Sequence, residues 1–271
     1  MKGKSSRSIN FILGSVLTSL MVLFVLIGLF WTPYDTEVMN QAARFMPPNF
    51  QFPLGTDQFG RDVLSRVMAG AVNTSIIALS TVLIGGTMGT MLGALTGYYG
   101  GWFDEVCMRI NDAIAAFPSV LLALVIIAVI GSGRSRVILA LGIAFIPSIA
   151  RFVRGEFLKL RDADYIVSAR LMKIPTRRIL LFHMMPNILP ALLSALTISI
   201  NNAILAEAGM SYLGIGVQPP DPSLGRMLSE SQTFLANAPW TAIFPGLVIL
   251  LFVLGVGLLG EGILDRYGGG R

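Results

Sequence analysis

Between Ser8 and Tyr34 the chain carries no Asp, Glu, Lys or Arg, and the same holds for Val67 to Phe103, Ala113 to Gly133 and Ser231 to Gly260. A helix needs roughly 20 apolar residues to cross the hydrocarbon core of a bilayer, so runs of this length are read as membrane spans. Ile179 to Ala206 has only His183 as a titratable group. The shorter run Val137 to Ala150 spans as well if Arg136 and Arg151 at its ends turn their charges outward to water. The expectation is an all-α integral membrane protein with six transmembrane helices. Composition agrees: 54% hydrophobic and 13% charged residues over 271 positions leave too few polar groups to cover a soluble globule.

Lys2, Lys4 and Arg7 precede the first apolar run, as in a secretory signal. The run exceeds the roughly 7–15 residues of a signal core and ends in Trp31, Thr32, Pro33 and Tyr34 without a small-x-small cleavage site, so it reads as a retained span. Positive residues resist translocation, and their distribution over alternate loops sets orientation. With the N-terminus cytoplasmic, the inner segments hold fourteen Lys and Arg against six outside, which places both termini inside. The net charge of +5 is thereby a topology signal and carries no implication of nucleic-acid binding. The single cysteine, Cys107, excludes an internal disulfide framework.

Three regions follow. Residues 1–71 combine the first span with a proline-rich outer segment. Residues 72–261 form the core of five further helices, and 262–271 a short cytoplasmic tail. The second span holds Gly85, Gly89 and Gly93 at helical spacing, which permits close approach of a neighbouring helix. Segment 151–185 is the densest in charge and is the best candidate for a cytoplasmic docking surface. Within it Asp164 to Met172 lacks Gly and Pro and is expected to form two helical turns, with Val167, Ser168, Leu171 and Ile174 on one stripe, ended by Pro175. An interfacial helix lying on anionic lipid has the same pattern. The last outer segment, Ser211 to Trp240, contains Gly214, Gly216, Pro219, Pro220, Pro222 and Gly225 and cannot be one continuous helix.

No G-x-x-x-x-G-K-[ST] loop is present, so the chain has no evident means of hydrolysing nucleotide alone. One histidine and one cysteine, far apart, form neither a zinc site nor a thiol-based catalytic pair, and no catalytic or metal residues are assigned. The one carboxylate deep in a span is Glu207, with Asn201 and Asn202 one to two turns earlier. These three are the candidates for a translocation path. Two roles are open to Glu207: interhelical hydrogen bonding, which fits a lone intramembrane carboxylate better, or a place toward the outer end of a cavity. A self-sufficient ion-coupled secondary transporter would use it as the coupling group.

Four stretches resemble the permeases of bacterial dipeptide, oligopeptide and nickel importers driven by ATP-binding-cassette subunits, in particular their C-type subunit. Gly55, Thr56, Asp57, Gly60, Arg61 and Asp62 resemble that family's outer G-T-D-x-x-G-R-D signature. Gly97 to Arg109, running on to Ala116, Phe117, Pro118 and Ser119, is similar to its inner turn and third span. Asp164 to Asn187 falls where the family carries its E-A-A coupling loop. The family's Glu-Ala-Ala aligns there with Val167, Ser168 and Ala169 and its Gly with Lys173, while Arg170, Arg178, His183, Pro186 and Asn187 fit. That Gly allows a left-handed turn, which a Lys adopts at a cost of order 1 kcal/mol; Pro175 offers a second way to break the helix. Ala206 to Pro220 and Ser223 to Gly246 complete the match.

The resemblance implies a type I importer permease in the bacterial inner membrane, paired with a related permease, two cytoplasmic ATPases and an external solute-binding protein. ATP and Mg would be held by the ATPases, and this chain would bind no cofactor. Asp164, Val167, Ser168, Ala169, Arg170, Lys173 and Arg178 would dock on an ATPase. The cargo implied is a di- or oligopeptide, with nickel or a metal chelate as the alternative.

Overall fold

The computed structural model describes residues 3–267, and among them the chain is helical with only an isolated two-residue β-bridge. Lys2 and Arg271, two of the cations behind the orientation argument, lie outside the described residues. Helix α1 spans Gly3–Phe30, α2 Val63–Tyr99, α3 Gly101–Ala115, α4 Ser119–Ile130 and α5 Arg134–Arg161. Then come the short α6 (Asp164–Leu171), a single turn α7 (Thr176–Arg178), α8 (Met185–Tyr212), α9 (Leu224–Ser231) and α10 (Trp240–Tyr267).

Five helices are long and apolar enough to cross a membrane, and the expected third span is different. Residues 113–133 do not form one straight helix. Pro118 has no N–H and forces the residue before it away from helical geometry, so α3 and α4 meet at an angle of 84°. At about 1.5 Å per residue the 12 residues of α4 reach only about 18 Å, so the sixth crossing requires the bent pair together. The fourth span is longer than its apolar run. Helix α5 continues through the charged residues beyond Ala150 to Arg161, because Val153 and Phe157 on one side are fully buried while Arg151 and Lys159 face outward. The last span begins at Trp240, where the outer segment was expected to end, and it runs on past Glu261, so the 262–271 tail starts as helix.

Helix α2 is the central post, and its glycine stripe is the seat of α5. A Cβ on Gly89 would stand 2.9 Å from that of Ile149, on Gly93 2.4 Å from the Ala150 carbonyl oxygen, and on Gly97 2.7 Å from the Cβ of Phe157. Only hydrogen fits at these points, so the backbones touch over three turns. Helix α1 leans chiefly on α10, where Gly255 and Gly262 approach Leu17 and Phe11.

The entry to α8 is wound wide. Ile179–Met184 is π-helical, and the Met185 N–H reaches the Leu180 carbonyl. The cause is local: Pro186 has no N–H, and its ring excludes the carbonyl that an α-helical turn would place beside it. Asn187 Nδ2 donates to the His183 carbonyl at 2.6 Å, replacing a backbone donor. Thr176–Tyr212 thus forms one continuous 37-residue span.

Replacement of Gly93 by Ala is expected to destabilise the fold by about 1–3 kcal/mol, the usual cost of overpacking. Gly155→Ala, where a Cβ meets nothing within 4 Å, is expected to be neutral or slightly stabilising. Thermal unfolding in detergent distinguishes the two; equal effects would show that the α2–α5 contact is slack.

Candidate functional site

The two ends of the bundle are built differently. One carries residues 31–62 and 213–239 packed on each other; the other carries α6 and α7.

At the first end, the Gly55 to Asp62 motif is a structural knot. Asp57 accepts hydrogen bonds from the backbone N–H groups of Phe59 and Arg61 at 2.8 and 2.9 Å and from Arg61 Nε at 2.7 Å. Gly60 has φ +74°, and a Cβ there would collide with the Asn40 carbonyl oxygen at 1.8 Å. Asp62 caps α2 by accepting from the Ser65 N–H at 2.8 Å. Thr56 Oγ1 donates to the Ala43 carbonyl and accepts from the Met46 N–H, while the Thr56 carbonyl accepts from Trp240 Nε1 at 3.0 Å. Arg61 and Arg66 both approach Glu230 of α9, at 3.7 and 3.6 Å. The motif thereby ties the start of α2 to α9 and the start of α10.

About three turns further along α2, Glu207 is fully buried and accepts three hydrogen bonds: from Thr74 of α2 at 2.7 Å, from Ser211 of its own helix at 2.7 Å, and from Ser223, the N-cap of α9, at 3.0 Å. Asn73 Nδ2 adds a bond to the Pro222 carbonyl at 2.8 Å. A buried carboxylate is costly unless its lone pairs are used, and here hydroxyls from three elements use them. The carboxylate pins the returning 213–223 segment onto α2 and α8.

The three candidates for the path are not together. Glu207 sits in that network, and Asn201 donates to the Val253 carbonyl of α10 at 3.0 Å. Asn202 alone faces a cavity of about 360 Å³ between α4, α5 and α8, whose other polar groups are Ser119, Ser148 and Ser199. These serines, and Thr74, Ser211 and Ser223, were not singled out in the sequence. The available signal was an uncharged hydroxyl at membrane depth, which is common and mostly satisfied by its own helix.

At the opposite end, α6 hangs from α5. Ile166 and Ala169 are buried against Phe157, Leu160, Ile179 and Met184, while Val167, Leu171 and Met172 are 41, 79 and 69% exposed. Asp164 and Ser168 are exposed too. Arg170 lies over the Tyr98 ring at 4.9 Å and donates to the Arg161 carbonyl at 3.2 Å, so it holds α6 to the ends of α2 and α5. Arg178 offers its carbonyl to His183 at 3.1 Å. Lys173 takes φ +54°, and the turn closes with Ile174 N–H to the Ala169 carbonyl at 3.1 Å and Lys173 N–H to the Arg170 carbonyl at 2.9 Å. This is the six-to-one and five-to-two pattern that glycine normally ends. The helix therefore stops at Leu171 by a left-handed turn, four residues before Pro175, which only caps the next element. Arg154 grips Asp104 of α3 through two bonds of 2.6 Å, and Arg151 meets Asp112 at 2.7 Å.

Helices at spanning length, a fully satisfied buried carboxylate and a small helix suspended at one end define a multi-pass membrane protein. Residues 89–267 match the family described as binding-protein-dependent transport system inner membrane component. The chain is 35% identical over 257 residues to a dipeptide transport system permease protein, DppC, of Alkalihalophilus pseudofirmus, covering 94% of this chain and 84% of that one. To the glutathione transport system permease protein GsiD it is 40% identical over 256 residues in Pectobacterium atrosepticum (93 and 85% covered) and 41% over 248 in Escherichia coli (90 and 82%). The chain belongs to this family of inner membrane components, the permease subunits of ATP-binding-cassette importers.

Lys173→Gly is expected to raise stability by about 1 kcal/mol, since it removes a side chain from a left-handed turn. The reading is a higher unfolding temperature with unchanged helix content. Glu207→Gln, whose amide oxygen can still accept from Ser211 and Ser223 while its NH2 donates to the Thr74 hydroxyl, should retain substrate-stimulated ATPase activity of the assembled transporter within a few-fold. Glu207→Leu should lower stability by about 1–3 kcal/mol for each hydroxyl left unpaired. Abolished transport by a well-folded Gln variant would assign the carboxylate a direct part in transport.

Proposed function

We propose that this chain is one of two related permeases of a bacterial importer of short peptides, and that both its termini face the cytoplasm. The observation that carries this reading is α6. It presents an apolar stripe, Val167, Leu171 and Met172, to the outside of the protein, while its other face is anchored to the end of a span. A stripe of that kind at the end of a membrane helix fits a groove on a soluble partner, and two ATPases are the partners a permease of this family requires. The excess of Lys and Arg around α6 and α7 supports their cytoplasmic placement.

The action then follows from the connections. Closure of the ATPase pair on ATP moves α6; Ile166 and Ala169 transmit that movement to Phe157 and the end of α5. Arg154 and Arg151 carry it to Asp104 and Asp112, and so to the bent α3–α4 pair, which can swing at Pro118. ATP and its Mg belong to the ATPases, and an external binding protein delivers solute to the end built from the Gly55 to Asp62 motif. The relatives compared above are named for dipeptide and glutathione transport, which favours a peptide cargo over nickel. An ion-coupled carrier is the weaker reading, because Glu207 is sealed among Thr74, Ser211 and Ser223, apart from the cavity that Asn202 lines.

Leu171→Asp should cut co-purification of the ATPases about tenfold, the effect of about 1.4 kcal/mol, while leaving membrane insertion intact. Retention of both ATPases at wild-type levels would sink the docking assignment.

A further inference from the structure

We propose that Ser119, Ser148 and Asn202 are the groups through which this chain contacts its solute, and that they hydrogen-bond the solute's peptide backbone rather than its side chains. The proposal rests on the permease reading and adds to it the site and the chemistry recognised there.

Polar side chains in spans ordinarily satisfy themselves at once. On α8, Ser194, Thr197 and Ser199 each donate to the carbonyl four residues back, at 3.2, 2.8 and 2.9 Å, and Asn201 crosses to α10. Ser119, Ser148 and Asn202 do none of this; no hydrogen bond joins any of their side chains to the described protein. They come from three helices and converge on the one cavity. Ser148 lies three residues before Arg151, near the end of the apolar run of α5, and Ser119 opens α4 at the break of the bent pair, so both sit within apolar segments but toward the end of the bundle that carries α6. At that depth, polar groups without partners face water or a passing ligand rather than lipid.

The cavity's chemistry narrows the ligand. Nothing charged lines it, and its remaining walls include Phe145 and Gly209. A carboxamide and hydroxyls each donate and accept, as every peptide unit does whatever its side chain. Its volume, about 360 Å³, lies at the small end of ligand clefts. The larger cleft between α2 and α8, about 910 Å³, is lined mostly by aliphatic residues such as Leu83, Leu196 and Ile200; Thr87 and Thr197 in it already donate to carbonyls of their own helices, and Arg177 lies at its α7 end.

The test uses the whole assembly in liposomes, with Cys107→Ser as background and single cysteines at Ser148 and Asn202. Leu139 and Ile198, exposed apolar positions on the same two helices, serve as controls. A membrane-impermeant cationic methanethiosulfonate reagent should modify the first two about tenfold faster than the controls, as water-facing positions require. Trialanine and tripeptides with an acidic or basic central residue should slow that modification alike. Modification no faster than at the controls, in an intact assembly, would overturn the site. Protection that depends on side-chain charge, or none with any tripeptide, would overturn the backbone chemistry. A chain that purifies without a second permease and ATPases yet transports would remove the permease reading and this proposal with it.

Discussion

At membrane depth a polar group has no water to turn to, and most features of this structure are answers to that constraint. The answer at Glu207 is complete: three hydroxyls from α2, α8 and the cap of α9 occupy its lone pairs. Because those donors lie in different elements, satisfying one carboxylate also fixes how the 213–223 return segment enters the bundle. The glycine stripe of α2 answers the same constraint by another route, since close backbone contact with α5 takes the place of side-chain interdigitation. Where the answer is withheld, at Ser119, Ser148 and Asn202, the protein leaves a cavity.

The opposite end is organised by charge and by one strained turn. The Arg154–Asp104 and Arg151–Asp112 pairs join α5 to α3, and Arg170 stacked on Tyr98 joins α6 to α2. The buried side of α6 is continuous with the core below it, and its exposed side carries Val167 and Leu171 beside Asp164, Ser168 and Arg170. The small helix is thus firmly attached inward and leaves Val167, Leu171 and Met172 uncovered outward.

Much of the fold was legible because the length of an apolar run is a property of neighbouring residues. Five of the six expected spans are present with shifted ends. The shifts have specific causes. Helix α5 outlasts its apolar run because Phe157 packs on Gly97 and Arg154 finds Asp104, contacts between residues dozens of positions apart. The bend before α4 was concealed because Pro118 sits in an uncharged run that reads as continuous. Of the stripe expected on α6, Val167, Ser168 and Leu171 face away from the protein, while Ile174 lies past the left-handed turn and packs back on the core; Ile166 and Ala169 make the inward contacts, and that choice depends on where Met184 and Phe157 lie. Pro175 reads as the end of α6, with a left-handed turn at Lys173 open only through the family's aligned Gly; the turn forms despite the side chain and ends the helix first. The separation of Asn201 from Asn202 was not legible at all, since adjacent residues on a helix differ by about 100° in direction and only the neighbours decide which faces what.

That same angle gives the wide turn at Ile179–Met184 a consequence. A π-helical turn holds an extra residue within the helix, so it resets the angular phase of everything after it. Helix α8 has to present Asn202 to one side, Asn201 to α10 and Glu207 to α2, three bearings fixed by separate neighbours. The segment before it has its own bearing, set by Ile179 and Met184 beneath α6. The six residues between work as a phase adjuster, allowing the end beneath α6 and the cavity-facing side of one continuous rod to be oriented independently of each other.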